Sequence, residues 1–217
     1  MKKVFISRDL KEGSAFRQIL EPSAWEVYDE SLIQFEALAF EYDLESDWIF
    51  FYSRNAVHFF FEGAVKGMPA GVQLGCMGES TAQALPRSAD FIGNGEAAAT
   101  AAAFLAKAKG QKVVFPRAKN SKKSIQLLLE GQIDVEDVVV YENKPKAEFS
   151  VPDVDVLVFT SPLNAQTYFQ KYRRISDQKV VAIGQTTAAA LRQMGIHEIS
   201  IASKPYEEDL AKVVCNF

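Results

Sequence analysis

The feature that most limits how this chain can fold is that it says nearly the same thing twice. CMGESTAQAL, Cys76 to Leu85, returns as AIGQTTAAAL, Ala182 to Leu191. Three further pairs of segments line up in the same order: KVFISR (Lys3 to Arg8) with KVVFPR (Lys112 to Arg117), WEVYDE around Tyr28 with VVVYEN around Tyr141, and IFFYSRNAVHFF around Ser53 with LVFTSPLNAQTYF around Ser161. The displacement is nearly constant, from 8 to 117, 28 to 141, 53 to 161 and 78 to 184, with one extra residue before Asn164. A steady internal period marks a repeated structural unit, here of about 105 to 110 residues. The 217 residues are therefore two copies of one design.

Within each copy, short apolar runs alternate with helical patterns. Val4 to Ile6, Trp48 to Tyr52, Val72 to Met77, Val113 to Phe115, Val154 to Phe159 and Val180 to Ile183 are continuous and apolar, which suits strands covered on both faces. Between them Phe16 to Leu20, Asn55 to Phe61, Thr81 to Leu85, Ala97 to Ala108, Ser124 to Leu129, Asn164 to Tyr172, Thr187 to Met194 and Glu207 to Val214 predict helices, several closed by glycine as at Gly110, Gly131 and Gly195. Strand, loop and helix in alternation predict an α/β protein with doubly wound parallel sheets. The polar stretch Asn143 to Asp153, with its two prolines, and the acidic Asp29 to Gln34 are the expected crossings between domains.

Hydrophobic content of 48% with 24% charged residues is that of a globular protein, and no run approaches the roughly 18 apolar residues of a membrane span. The start MKKVFISRDL has only Val4, Phe5 and Ile6 as an apolar core, too short for a secretory signal, so a soluble cytoplasmic protein is expected. Cys76, Cys215, His58 and His197 show no metal-ligand spacing, and no metal site is expected. A net charge of -4 argues against a nucleic-acid surface, though local cations can still meet a small anion.

In a doubly wound fold, ligands bind where the carboxyl ends of strands give way to helices. Gly78, Ser80 and Thr81, with their counterparts Gly184, Thr186 and Thr187, place a glycine turn and then hydroxyls at such a junction. Free N–H groups of a helix's first turn, together with those hydroxyls, can hold a carboxylate or phosphate. A Ser or Thr there also caps its own helix, worth about 1 kcal/mol. The same constellation twice, each beside a second hydroxyl loop, points to a ligand. Those second loops are Ser53-Arg54-Asn55 and Thr160-Ser161-Pro162. Arg8 and Arg117 end the first strand of each copy and offer further cations, or surface ion pairs of small energetic weight. Tyr28 and Tyr141 end β-like runs just before the crossings, where Tyr141 is the candidate proton donor, a role a phenol fills weakly without help. His58, within VHFFF, is expected to be structural. With no nucleophile–base pair and no P-loop, an enzyme built on these residues works by holding and shaping its substrate.

Together the first-strand KVFISR, FYSRNAVHFF, GESTAQAL, VVFPR, VVVYENKP, VFTSP and AIGQTTAAAL followed by Gly195 resemble the uroporphyrinogen-III synthase family over about residues 3 to 212. The resemblance implies two flavodoxin-like domains joined by a two-stranded ladder, the first made of residues 1–29 and 146–217 and the second of 30–145. It implies conversion of the linear tetrapyrrole hydroxymethylbilane to uroporphyrinogen III, with loss of water, inversion of ring D and no cofactor. Ser53, Thr81, Tyr141, Ser161, Thr186 and Thr187 fall on the family's cleft motifs. Tyr52, where that family's first block usually has threonine, and the extra residue at Leu163 depart from it. Its partners are expected to be hydroxymethylbilane itself and, by hand-over, hydroxymethylbilane synthase, with the chain a monomer and without nucleic-acid or membrane partners. Duplicated turns facing one another would grip a flexible substrate with eight carboxylates from both sides. A hinge-type small-anion binding protein, or a synthase-like interaction module without activity, is the alternative reading.

Overall fold

A computed structural model describes residues 1–64, 67–68, 71–173 and 177–217. In chain order the strands are β1 (Lys2–Ile6), β2 (Trp25–Asp29), β3 (Ile33–Ala37), β4 (Trp48–Phe51), β5 (Gln73–Cys76), β6 (Phe91–Ile92), β7 (Lys112–Ala118), β8 (Asp134–Pro145), β9 (Val156–Phe159), β10 (Lys179–Ala182) and β11 (Ile199–Ile201). The helices are α1 (Ala15–Leu20), α2 (Arg54–Gly63), α3 (Glu79–Ala82), α4 (Ala97–Ala108), α5 (Ser124–Leu129), α6 (Pro162–Lys171), α7 (Gln185–Gln193) and α8 (Glu207–Cys215). The apolar runs are strands because helices cover both their faces, so every residue of β4 (WIFF) and β9 (VLVF) is buried. Helix α3 stops short of the predicted Leu85 because Pro86 disfavours helical geometry in the residue before it.

The chain divides into two compact units, Met1–Gln34 with Lys144–Phe217 and Phe35–Asn143. The bounds implied by the family resemblance fall after residues 29 and 145, those of the compact units after Gln34 and Asn143. The chain crosses within β3 and β8, which are neighbours in one sheet and run in opposite directions, since Lys146 N–H donates to Leu32 O while Leu38 N–H donates to Val140 O. No described helix is long and apolar enough to cross a membrane.

In the first unit the strand order is β2-β1-β9-β10-β11, all parallel. Numbered by their order in that unit this is 2-1-3-4-5, the flavodoxin-like arrangement. The second unit has the order β3-β8-β7-β4-β5-β6, with β8 to β6 parallel. Repeat by repeat, β7 stands where β1 does, β8 where β2 does, and β4, β5 and β6 where β9, β10 and β11 do. The second sheet is thus the first with the chain entering at a different strand. Neither unit is one sequence copy: each joins the opening βαβ of one copy to the remainder of the other.

The bonds across that join repeat. Lys3 N–H donates to the Asp155 carboxylate at 2.7 Å in the first unit, and Lys112 N–H to that of Asp47 at 2.8 Å in the second. Each sheet carries apolar layers on both faces. In the second unit one layer is an aromatic cluster in which Phe104 meets Phe50 at 4.8 Å, Trp48 at 5.1 Å and Phe91 at 5.2 Å between ring centres.

Candidate active site

The strand order places the predicted loops together at one edge of each sheet. In the first unit, Ile183 N–H donates to Phe159 O and Ser7 N–H to Val158 O, so the turns after β10, β9 and β1 lie side by side. In the second, Met77 N–H donates to Phe51 O, which aligns the turns after β5 and β4, and β7 pairs with β4 next to them. The reversal of strand order, where an open α/β sheet leaves a crevice for ligand, lies between β1 and β9 in one unit and between β7 and β4 in the other.

The duplicated turns are the same in three dimensions. Gly78 and Gly184 sit before α3 and α7 with φ/ψ of -178/177° and -178/179°. Ser80 and Thr186 are exposed, while Thr81 and Thr187 are buried, and no side chain caps either helix. Extended backbone is open to any residue, and a Cβ on Gly184 would meet nothing within 4 Å. Neither strain nor crowding by the protein therefore explains a glycine there; room for something to approach the backbone does. The first-turn N–H groups of the nine-residue α7 face that space without side-chain competition.

Ser53 and Ser161 are likewise matched, at φ/ψ of -156/161° and -159/157°. Each caps its helix: Ser53 Oγ accepts from Ala56 N at 3.2 Å, and Ser161 Oγ accepts from Asn164 N at 3.2 Å and Asn164 Nδ2 at 3.0 Å. The capping role and a binding role are compatible, because an oxygen that accepts inward keeps its own proton to donate outward. Pro162 occupies the first helical turn of α6, where its missing N–H costs nothing. Asn164, not among the predicted site residues, is 3% exposed and locks this turn, its Oδ1 accepting from Leu32 N at 2.8 Å. The sequence signal for it was the shared Asn-Ala pair with Asn55, which itself is partly exposed at the start of α2.

The cations behave differently from one another. Arg54 is exposed and without an ion pair among the described residues. Arg8 is partly exposed and 3.8 Å from Glu207. Arg117 is turned inward: Nε and Nη2 take both oxygens of Asp137, and Nη1 donates to Ala118 O at 2.8 Å and Lys119 O at 2.9 Å. With four of its five N–H groups engaged and its side chain 7% exposed, it holds the framework of the loop. Burial pushes the Asp137 carboxyl up, but hydrogen bonds from Arg117, Lys123 and Gln126 outweigh this and hold it well below the usual carboxylate range. Gln126 in turn donates its N–H to Tyr52 Oη at 3.1 Å, and burial pushes the Tyr52 phenol up to about 12. In the first unit Thr160 stands in place of Tyr52 and bonds Ser7 twice, at 2.9 and 2.7 Å.

Tyr141 is 7% exposed, stacked on Phe59 at 4.9 Å and edge-on to Phe35 at 5.9 Å. Its hydroxyl has no hydrogen-bond partner among the described residues and is not one of the fully sequestered polar atoms. Tyr28 bonds Glu26, and His58 lies exposed on α2, 3.4 Å from Glu62 one turn on.

Residues 14–212 match the model of the uroporphyrinogen-III synthase HemD family. The uroporphyrinogen-III synthase of Chlorobaculum parvum is 30% identical over 172 residues, 68% of this chain and 70% of that one. Among solved structures, uroporphyrinogen-III synthetase of Helicobacter pylori matches in fold with a TM-score of 0.77 at 24% identity, covering 100% of this chain and 99% of that one. A mutant of the Thermus thermophilus synthase matches with a TM-score of 0.58 at 16% identity, covering 100% of this chain and 98% of that one. The duplicated motifs, the two flavodoxin-like sheets and these likenesses agree: the chain belongs to the uroporphyrinogen-III synthase family.

Proposed function

We propose that the protein cyclises hydroxymethylbilane to uroporphyrinogen III, with loss of water and inversion of ring D, by seating the substrate's carboxylates on the strand-end turns of each unit. The observation that carries this is the near-identity of the extended Gly78 and Gly184 backbones, each ahead of a helix whose first-turn N–H groups no side chain caps, with open space beside Gly184. A substrate with eight carboxylates needs many moderate anion contacts, and a helix N-terminus supplies about 0.3 to 1 kcal/mol apiece. Ser53, Ser161, Thr186 and Arg54 add outward-facing donors beside those turns, with Thr81 and Thr187 packed behind them.

The chemistry asks little else of the side chains. The pyrrole nitrogen's electron pair expels the terminal hydroxyl, which leaves as water once protonated, and the substituted α-carbon of ring D captures the cation; the bond from that carbon to its original bridge then breaks and re-forms at ring D's other α-carbon, which gives up its proton, so the ring ends inverted. Tyr141, with a hydroxyl free to donate, is the proposed proton source or positioner for that departure. Holding the two ends together is the larger contribution, since effective molarity is worth about 7 to 11 kcal/mol at best. Incubating purified protein with hydroxymethylbilane and resolving the product isomers tests this. Isomer III is expected; isomer I alone, the spontaneous product, refutes it.

A further inference from the structure

The two copies provide an internal control on charge. The loop after β7, residues 117–123 (RAKNSKK), carries four cations and no anion. Its counterpart 109 residues earlier (117 to 8, 123 to 14), residues 8–14 (RDLKEGS), carries two of each. The two loops occupy the same place, at the carboxyl edge beside the reversal of strand order. The fold alone therefore does not demand the excess of positive charge.

We propose that this loop is a docking site for substrate carboxylates, centred on Lys122 and Lys119; the inference rests on the polycarboxylate reading above and names where in the second unit that charge is met. The loop is held in shape from within. Arg117 donates to the carbonyls of Ala118 and Lys119, Lys119 N–H donates to Tyr141 O at 2.9 Å, and Ser121 N–H to Ala118 O at 3.0 Å. Lys123 adopts a left-handed backbone, φ 55°, that a side chain rarely takes, and reaches Asp137 with Nζ at 2.6 Å. Two of the four cations are thus committed to one carboxylate. Lys122 is exposed and has no ion pair among the described residues. Lys119 is 59% exposed and, among the described residues, pairs with Glu142 alone, at 2.8 Å. Arg54, also without an ion pair among the described residues, opens the helix after β4, the strand next to β7. In the first unit Arg8 is answered by Glu207, and Asp9 and Glu12 within the loop offset Arg8 and Lys11 in number.

The test is steady-state kinetics of isomer III formation by the double variant Lys119→Gln/Lys122→Gln, with Lys11→Gln in the counterpart loop as control. Because exposed ion pairs are individually weak, the double variant is expected to raise KM about three- to tenfold with kcat unchanged. It should also flatten the rise of KM with salt between about 0.05 and 0.3 M, where screening acts on exposed charges. Lys11→Gln should leave both untouched. A double variant whose KM and salt dependence equal those of the wild type, or a Lys11 variant with the same defect, overturns the proposal. Failure of the parent reading looks different, since the wild type would then yield isomer I alone.

Discussion

Replacing Arg117 by methionine separates a framework role from a binding one. The side chain is 7% exposed, grips both Asp137 oxygens and donates to two backbone carbonyls. Breaking a buried pair by removing one partner costs about 3 to 5 kcal/mol. That figure falls here, because Asp137 is 28% exposed and keeps Lys123 at 2.6 Å and Gln126 at 2.9 Å. We expect a loss of about 2 to 3 kcal/mol, reduced from the fully buried case by that residual solvation and pairing. For a chain of this size it lowers Tm by about 5 to 10 °C. The assay is thermal unfolding alongside KM for isomer III formation, with KM expected to stay within about twofold, since a group spent internally adds no uniform substrate binding.

Acid provides a second readout of the same variant. The folded Asp137 carboxyl is held below its unfolded value, so on acidification the unfolded chain takes up this proton first. Its stabilisation is complete above the unfolded pKa, near 4, and drains away as pH falls below that. The wild type loses the contribution, whereas Arg117→Met has already lost much of it, so the Tm gap between them should narrow from pH 7 to pH 3. A tenfold rise in KM with Tm unmoved, or a gap that widens in acid, would refute the reasoning and return Arg117 to the substrate site.

Two glycines at strand ends should part company. Gly184→Ala finds open space and tolerant extended backbone, so Tm should hold within about 2 °C while KM rises. In Gly93→Ala the new Cβ would lie 2.4 Å from Thr100 Cγ2 and 2.7 Å from the Met77 carbonyl oxygen. That overpacking should cost about 1 to 3 kcal/mol, read as a lower urea midpoint. Tyr141→Phe keeps the stacking on Phe59 and removes the hydroxyl; kcat should drop by about tenfold or more with little change in KM, and unaltered turnover takes Tyr141 out of the chemistry.

Most of the candidate site's positions were legible as residues because they are local. A glycine before a helix, a serine at an N-cap and an apolar run that ends in a turn each announce themselves within a few residues. What those residues do was not legible. Ser53 and Ser161 could be read as caps or as ligand donors with equal ease, and Arg117 looks from sequence like Arg8. Its partner Asp137 lies 20 residues away, on a strand whose pairing no local pattern announces. The chain Tyr52–Gln126–Asp137 was invisible for the same reason, with Tyr52 and Gln126 separated by 74 residues.

By itself the sequence determined that there would be two sheets of one kind, strands buried on both faces, and paired hydroxyl turns at their ends, because periodicity and turn chemistry act over a few residues and each copy repeats them. Only the tertiary structure decided which half of a copy packs with which. β1 of the first copy lies against β9 of the second, and β7 of the second against β4 of the first. Two copies with nearly the same strands offer nearly the same local partners, so the choice falls to long-range packing and to the chain's crossing at β3 and β8. Within the second copy's opening βαβ, the pairing of β7 with β8 sets Arg117 inward on Asp137 and leaves Lys119 and Lys122 exposed.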